Sequence, residues 1–392
     1  MAAAYYLSRK HEVSLFEKDS RLGGHTHTVQ VGDLAIDTGF IVHNDRTYPN
    51  LVNLFAELDV ETAPSDMSFS VLCRRTGFEY SSRGLDGYFA QRGNLLSPAH
   101  YQLLREIMRF NRIAPLLAED IPLGDYLARE KFHEVFLERY LYPMASAVWS
   151  MSADDIARFP ALTLIRFFQN HGMLGINTHP KWRVVRGGSN RYIGPLTAPY
   201  FPRVFLNATI RSVARSEADV TLRFAGRPDM VFDDVVFACH GNQILPLLES
   251  PTDAETDTLR NFQTSRNEVC LHTDAALLPK RARAAWNYNL HEEGGAGATV
   301  TYYMNRLQSL TAREDYCVTL NAAAEIDPAR VIREMVYYHP LYTADAIRAQ
   351  ARWSGISGRN RTHFAGAYWF YGFHEDGLNS ALRVARALGV AC

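Results

Sequence analysis

The spacing of apolar positions along the chain changes repeatedly, and each change predicts an element. Ala3, Ala4 and Leu7 fall at helical intervals within AAAYYLSRK, which predicts a helix resting against a sheet. Val13, Leu15 and Phe16 form a short apolar strand that ends on Glu17 and runs into the pair Gly23-Gly24. Val29, Val31, Leu34 and Ile36 alternate about Gly32-Asp33, the pattern of a hairpin, and residues 67–80 predict a second one turning at Thr76-Gly77. A helix begins near Thr47, with Pro49 in its first turn and Leu51, Leu54, Phe55 and Leu58 on one face. Ser97-Pro98 opens another that runs to about Leu117, and helical patterns continue from about Gly124 to His171. Their large side chains, Phe132, Phe136, Tyr140, Tyr142, Trp149, Phe159, Phe167 and Phe168, read mostly as core, although a helical insertion of this kind also suits an apolar pocket.

Beyond the helical region, a strand at residues 182–185 meets Gly187-Gly188-Ser189 and then a helix. Short β-rich runs between 204 and 236 predict a small meander whose last strand, 234–238, returns to a parallel sheet. Residues 299–304 and 316–320 alternate as strands of an antiparallel sheet. The chain closes with a strand ending at Gly366, an aromatic and glycine-rich loop, and a helix from about Gly377. Together these elements predict an α/β protein in which a Rossmann-like domain is assembled from residues 1–65, 180–265 and 355–392. Residues 66–179 and 266–354 form a discontinuous substrate domain of helices and an antiparallel sheet.

Composition narrows the functional classes. A chain of 392 residues that is 47% hydrophobic can bury a core of two joined domains. With 41 basic against 42 acidic residues it has no overall field for nucleic acid or an anionic membrane. Its five cysteines are scattered without a C-x-x-C pair, which fits a reducing cytosol better than a disulfide framework or structural zinc. No apolar run approaches the roughly 18 residues of a transmembrane helix. The reading is therefore cytoplasmic, with peripheral contact at the inner membrane face left open.

Candidate chemistry centres on Glu17. An acid at the end of the second strand of a nucleotide-binding domain accepts hydrogen bonds from both ribose hydroxyls, and Gly23-Gly24 lets backbone approach a phosphate or a flat ring. The matching glycine-rich turn belongs roughly 20 residues upstream of that acid. Only sixteen residues precede Glu17, so the first strand and its G-x-G-x-x-G turn are expected ahead of Met1. Gly187-Gly188-Ser189 lacks the lysine of a P-loop. His25-x-His27 and His374-Glu375 lack the spacing of a zinc motif, so no metal is expected. Ser189 lacks a nucleophile elbow.

The acid at Glu17, Arg21-x-Gly23-Gly24, Gly187-Gly188-Ser189, the VVFACHG strand end and the HFAGA…GFHEDGLNSA ending resemble the flavin-containing amine oxidase superfamily. WNYN, TYYMNRLQSL, VTLN, YYHP and YGFHEDGLNSAL resemble a bacterial branch of NAD/FAD-binding oxidoreductases encoded beside cyclopropane-fatty-acid synthase. The resemblance implies that FAD is the cofactor and that Glu17 holds its ribose. It implies that Arg21, Gly23, Gly24 and His25 lie on the pyrophosphate and flavin side, that Gly39 and Phe40 pass near the isoalloxazine, and that Ile210 meets adenine through its backbone. Gly366, Glu375, Asp376 and Gly377 would belong to the closing flavin motif. His25 stands where many amine oxidases carry arginine, and Leu378 where their closing motif has a small alanine; both weigh against an amine substrate.

Such a flavin accepts a hydride or electrons from substrate, so no catalytic acid or base is obligatory. His25, His27 and His374 are the candidates for proton transfer, the alternative being that they only hydrogen-bond the loop backbone. Two functions remain open: hydride transfer from a hydrophobic, lipid-acyl substrate to flavin N5, and an accessory flavoprotein partnering a lipid-modifying enzyme. An amine oxidase ranks below both.

Overall fold

The computed structural model describes residues 1–149, 153–170, 172–175, 180–290 and 299–392. Its largest element is a seven-stranded sheet, in the order Val331–Pro340, Thr264–His272, Cys317–Leu320, Thr299–Tyr303, Trp286–Leu290, Phe69–Cys73 and Phe78–Ser81. All neighbours run antiparallel except Trp286–Leu290 with Phe69–Cys73, the pair through which an early hairpin joins a late sheet. Helices of the 98–170 region cover this sheet, and the aromatic series read from the sequence fills the space between. Phe110, Phe136, Tyr140 and Phe168 are buried there with Val71, Val300 and Val318. The side chain of Trp149 and the whole of His171 lie outside the described residues.

A line of polar side chains crosses the sheet interior. Ser70 Oγ donates to Asn287 Oδ1 at 2.7 Å, and Asn287 Nδ2 donates to the Thr301 carbonyl at 3.1 Å. Thr301 and Thr319 share a hydroxyl contact of 2.8 Å, and Thr319 meets His272 Nε2 at 2.7 Å. Each is buried and each finds a partner, which is what makes such a line tolerable inside a core. The motifs WNYN, TYYMN and VTLN contribute Asn287, Thr301 and Thr319, so much of the recognisable sequence of this region encodes sheet register.

The opposite side of the molecule is built from smaller sheets. Leu15–Phe16 pairs in parallel with Val204–Phe205, and Val235–Phe237 in parallel with Thr362–Phe364. No described strand lies between the two pairs, and residues of both line one cavity. The antiparallel meander consists of Ile210–Arg215, Val220–Phe224 and Met230–Phe232. Val204–Phe205, expected to be part of that meander, pairs instead with the first strand, where Phe205 stacks on Phe16 with ring centroids 5.0 Å apart. Ala2–Leu7 lies against the terminal helix His374–Ala387, burying Tyr6 and Leu7 in one cluster with Leu378, Leu382 and Ala385. That terminal helix starts three residues before the expected Gly377, because Asp376 Oδ2 accepts from the backbone N–H of Phe373 at 2.9 Å and of Tyr371 at 3.2 Å, which organises the turn ahead of it.

Candidate functional site

A single cavity of about 2670 Å³ runs between the parallel pairs and the large sheet. This is well above the roughly 300–1,000 Å³ of an ordinary small-molecule pocket, and it has room for an extended ligand together with a second molecule. Three groups of residues line it. Glu17, Phe205 and Ile210 come from the strand pair and the meander. Arg21, Gly23, Gly24, His25, Gly39, Phe40, Gly366, Gly377 and His374 form the middle. Met67, Phe69, Tyr140, Met144, Trp286 and Tyr302 come from the large sheet and its helices.

Local geometry explains how the middle is held. Phe40 N–H donates to the carbonyl of His25 at 2.8 Å, pressing the two segments together. A Cβ on residue 39 would stand 2.1 Å from that same carbonyl oxygen, so only glycine allows the approach. Phe40 stacks on the His374 ring, centroids 3.8 Å apart, and His374 Nε2 meets Thr26 Oγ1 at 3.1 Å. Thr26 is hydrogen-bonded in turn to Tyr192. Arg21 folds over its own loop, donating to the carbonyls of Gly24 at 2.8 Å and Thr26 at 3.3 Å. Glu17 is fixed through its backbone to the neighbouring strand, and among the described residues its side chain accepts only the nearby Asp19 N–H, on Oε1 at 3.0 Å.

Four of the described histidines gather around this centre. His25 lies with its ring centroid 5.6 Å from His339, 5.8 Å from His240 and 5.2 Å from Tyr337. Burial first, and then the repulsion that His339, His240 and His374 would exert if protonated, lowers His25 to about 3. Burial lowers His374 to about 4, and burial with His240 nearby lowers His339 to about 4. His240 is lowered by burial and then by Lys18. The four rings are thus neutral at pH 7 and present nitrogen lone pairs; His25 Nε2 is buried without a partner. His27 is absent from the cavity wall: its Nδ1 meets Tyr337 Oη at 2.7 Å, and the Tyr337 hydroxyl also contacts Thr38 at 2.8 Å. Sequence reasoning passed over His240, His339 and Tyr337. YYHP and VVFACHG had marked the resemblance, but nothing in their spacing brings them to residue 25.

Two further expected site residues face elsewhere. Glu375 is buried against the helix Pro49–Glu57, accepting from Asn50 N–H at 3.0 Å and Leu51 N–H at 2.9 Å. Asp376 serves the loop before its own helix, and burial raises it to about 6. Neither lines the cavity. The turn Gly187-Gly188-Ser189 is likewise a clasp: Ser189 donates through N–H and Oγ to Asp37 Oδ1 at 2.8 and 2.9 Å, and Thr28 Oγ1 donates to the same oxygen at 2.6 Å. Gly188 has φ of 93°, and a Cβ there would meet Thr28 Cγ2 at 2.5 Å. The described residues contain no group of three or more His, Cys, Asp or Glu side chains arranged for a metal ion.

Comparison with known proteins agrees with this architecture. Residues 1–320 match the profile of the flavin containing amine oxidoreductases. A Mycobacterium tuberculosis protein carrying the provisional name flavin-containing monoamine oxidase AofH is 26% identical over 239 residues, 57% of this chain and 50% of that protein. The match thus spans about half the length of the curated relative. Among solved structures, cyclohexylamine oxidase from Brevibacterium oxydans superposes with a TM-score of 0.70 at 15% identity, covering 99% of this chain and 95% of the other. A CLA-producing fatty acid isomerase from P. acnes superposes with a TM-score of 0.71 at 13% identity, covering 99% and 96%. At these identities the superpositions establish the fold.

Proposed function

This chain belongs to the flavin-containing amine oxidoreductase family, and from that premise we propose that it is an FAD-dependent oxidoreductase taking hydride from an apolar, acyl-type substrate. The residues present fit the cofactor. Glu17 offers the ribose a carboxylate with one oxygen uncommitted, the glycine-lined middle admits a flat ring, and His25 Nε2 is a buried polar atom awaiting a partner. When bound, the flavin supplies the redox chemistry.

The observation that carries the substrate class is the wall contributed by the large sheet. Met67, Phe69, Tyr140, Met144, Trp286 and Tyr302 surround that part of the cavity. Among the described residues its acid is Asp66, already held by Arg306 at 2.8 Å. An ammonium group would lose its hydration there without gaining a free carboxylate, whereas a hydrocarbon chain leaves nothing unpaired. The wall therefore favours an alkyl chain and excludes water from it. The neutral histidines of the centre are placed to accept a hydrogen bond or a proton without first giving one up.

Anaerobic reduction of the flavin tests the proposal. Loss of flavin absorbance on adding long-chain acyl substrates, with none on adding primary amines or polyamines, is the expected result. Reduction by amines alone would overturn it. A flavin that no acyl compound reduces, in a protein that stimulates a lipid-modifying enzyme on mixing, would identify an accessory partner instead.

A further inference from the structure

Exposed large apolar side chains are concentrated in one stretch of this molecule. Leu85 is 71% exposed, Leu96 89%, Met108 54% and Leu116 77%, with Leu95 and Tyr101 also open to solvent. Part of this set is linked by direct contacts. Tyr101 Oη donates to the Leu95 carbonyl at 3.0 Å, and the Tyr101 ring lies 5.6 Å from Phe89, whose N–H is bonded to the Leu85 carbonyl. On the helix Pro98–Ile113, the buried positions His100, Leu103, Glu106 and Phe110 mark the inner face. The opposite stripe reads Tyr101, Arg105, Met108, Arg112 and continues to Leu116, alternating apolar and basic side chains over about 16 Å of helix.

Charge identifies what this surface meets. From Arg83 to Asp120 the chain carries Arg83, Arg92, Arg105, Arg109 and Arg112 against Asp86, Glu106, Glu119 and Asp120. Three of the acids are committed: Asp86 to Arg92 at 2.6 Å, the buried Glu106 to Arg109 at 3.2 Å, and Glu119 to Arg129 at 3.1 Å. Arg83, Arg105 and Arg112 are exposed as well. Among the described residues these three arginines form no ion pair, which leaves a local positive excess over Asp120 in a chain whose formal charge is -1. Apolar side chains interspersed with arginine favour the interface of an anionic bilayer: leucine and methionine enter the acyl region, and guanidinium groups stay with the phosphates.

We propose that the face formed by Leu85, Leu96, Tyr101, Met108 and Leu116, with Arg105 and Arg112, docks this protein on an anionic phospholipid bilayer. The face adjoins the cavity: Ser82, which lines it, precedes Arg83 and is paired with Phe69, another lining residue. A chain leaving the bilayer at this point would meet the apolar wall directly.

Flotation of the full chain with vesicles tests this without any turnover, so its outcome is separable from that of the substrate proposal. Vesicles of phosphatidylglycerol and phosphatidylcholine should carry the protein at low salt, and pure phosphatidylcholine vesicles should carry little. Each arginine near an anionic surface contributes roughly fivefold, so Arg105→Glu with Arg112→Glu should weaken binding by at least roughly 25-fold. Leu96→Asp should weaken it about tenfold. Phe201→Asp, at a 64% exposed position outside this stretch, should leave it unchanged. Absence of flotation on the anionic vesicles, equal flotation on both lipids, or equal loss with Phe201→Asp would overturn the proposal. So would a solution dimer dissolved by Leu96→Asp.

Discussion

Replacing Glu375 by alanine separates two roles that a carboxylate beside the closing glycine motif could have. Glu375 is 5% exposed; its Oε1 accepts from Asn50 N–H at 3.0 Å and Asn50 Nδ2 at 2.9 Å, and its Oε2 from Leu51 N–H at 2.9 Å. The two backbone groups belong to the first turn of Pro49–Glu57, whose preceding residue, Tyr48, makes no side-chain cap. Glu375 therefore caps that helix from a distance of more than 300 residues along the chain. A hydrogen bond to a charged acceptor is worth about 1.5–3 kcal/mol, and a missing cap costs about 0.5–2 kcal/mol. Three bonds sharing one carboxylate do not add fully, so Glu375→Ala should cost about 3 kcal/mol, and Glu375→Gln, which keeps one acceptor, about half of that. For a chain of 392 residues, 3 kcal/mol corresponds to a Tm lowered by about 4 °C. Urea unfolding and a thermal scan measure the loss, and flavin fluorescence titration measures FAD affinity on folded protein. A Glu375→Ala variant that unfolds at the wild-type midpoint but binds FAD tenfold more weakly would refute the capping role.

Other perturbations follow from the same geometry. Gly39→Ala places a methyl group against the His25 carbonyl and should cost more than about 2 kcal/mol while displacing Phe40, seen as weaker FAD binding together with a lower urea midpoint. Thr319→Val leaves His272 Nε2 and the Thr301 hydroxyl without their shared partner, an expected loss of about 2 kcal/mol by urea unfolding. His43 and His272 are buried and lowered to about 4, by burial in both, with Arg183 adding to the effect at His43. Their contribution to stability is complete above the unfolded value of 6.5 and is lost as pH falls toward 4, each at about 1.4 kcal/mol per pH unit. Acid titration followed by circular dichroism should show unfolding steepening below pH 6.5, and a flat profile between 6.5 and 4 would contradict it. Asp37, raised to about 6 by burial, acts oppositely: its contribution is complete below 3.8 and is lost as pH rises through 6. Asp37→Asn should flatten that part of the stability profile.

Sequence alone determined what depends on near neighbours. Alternation about Gly32-Asp33 and Thr76-Gly77 encoded both hairpins, because a period of two and a turn glycine are local properties. Pro49 and Pro98 marked helix starts for the same reason. Glu17, Gly23-Gly24 and the closing glycines pointed to a nucleotide site, since backbone approach requires glycine wherever the ligand comes from. Tertiary structure decided the rest. It set the order of the seven-stranded sheet, in which Val331–Pro340 lies at one edge and Phe78–Ser81 at the other. It brought His240 and His339 to His25, turned Glu375 toward a helix start, and made Ser189 a partner of Asp37. A side chain's chemistry depends on which groups lose water beside it. Residues hundreds of positions apart acquire that shared surrounding only when the chain closes on itself.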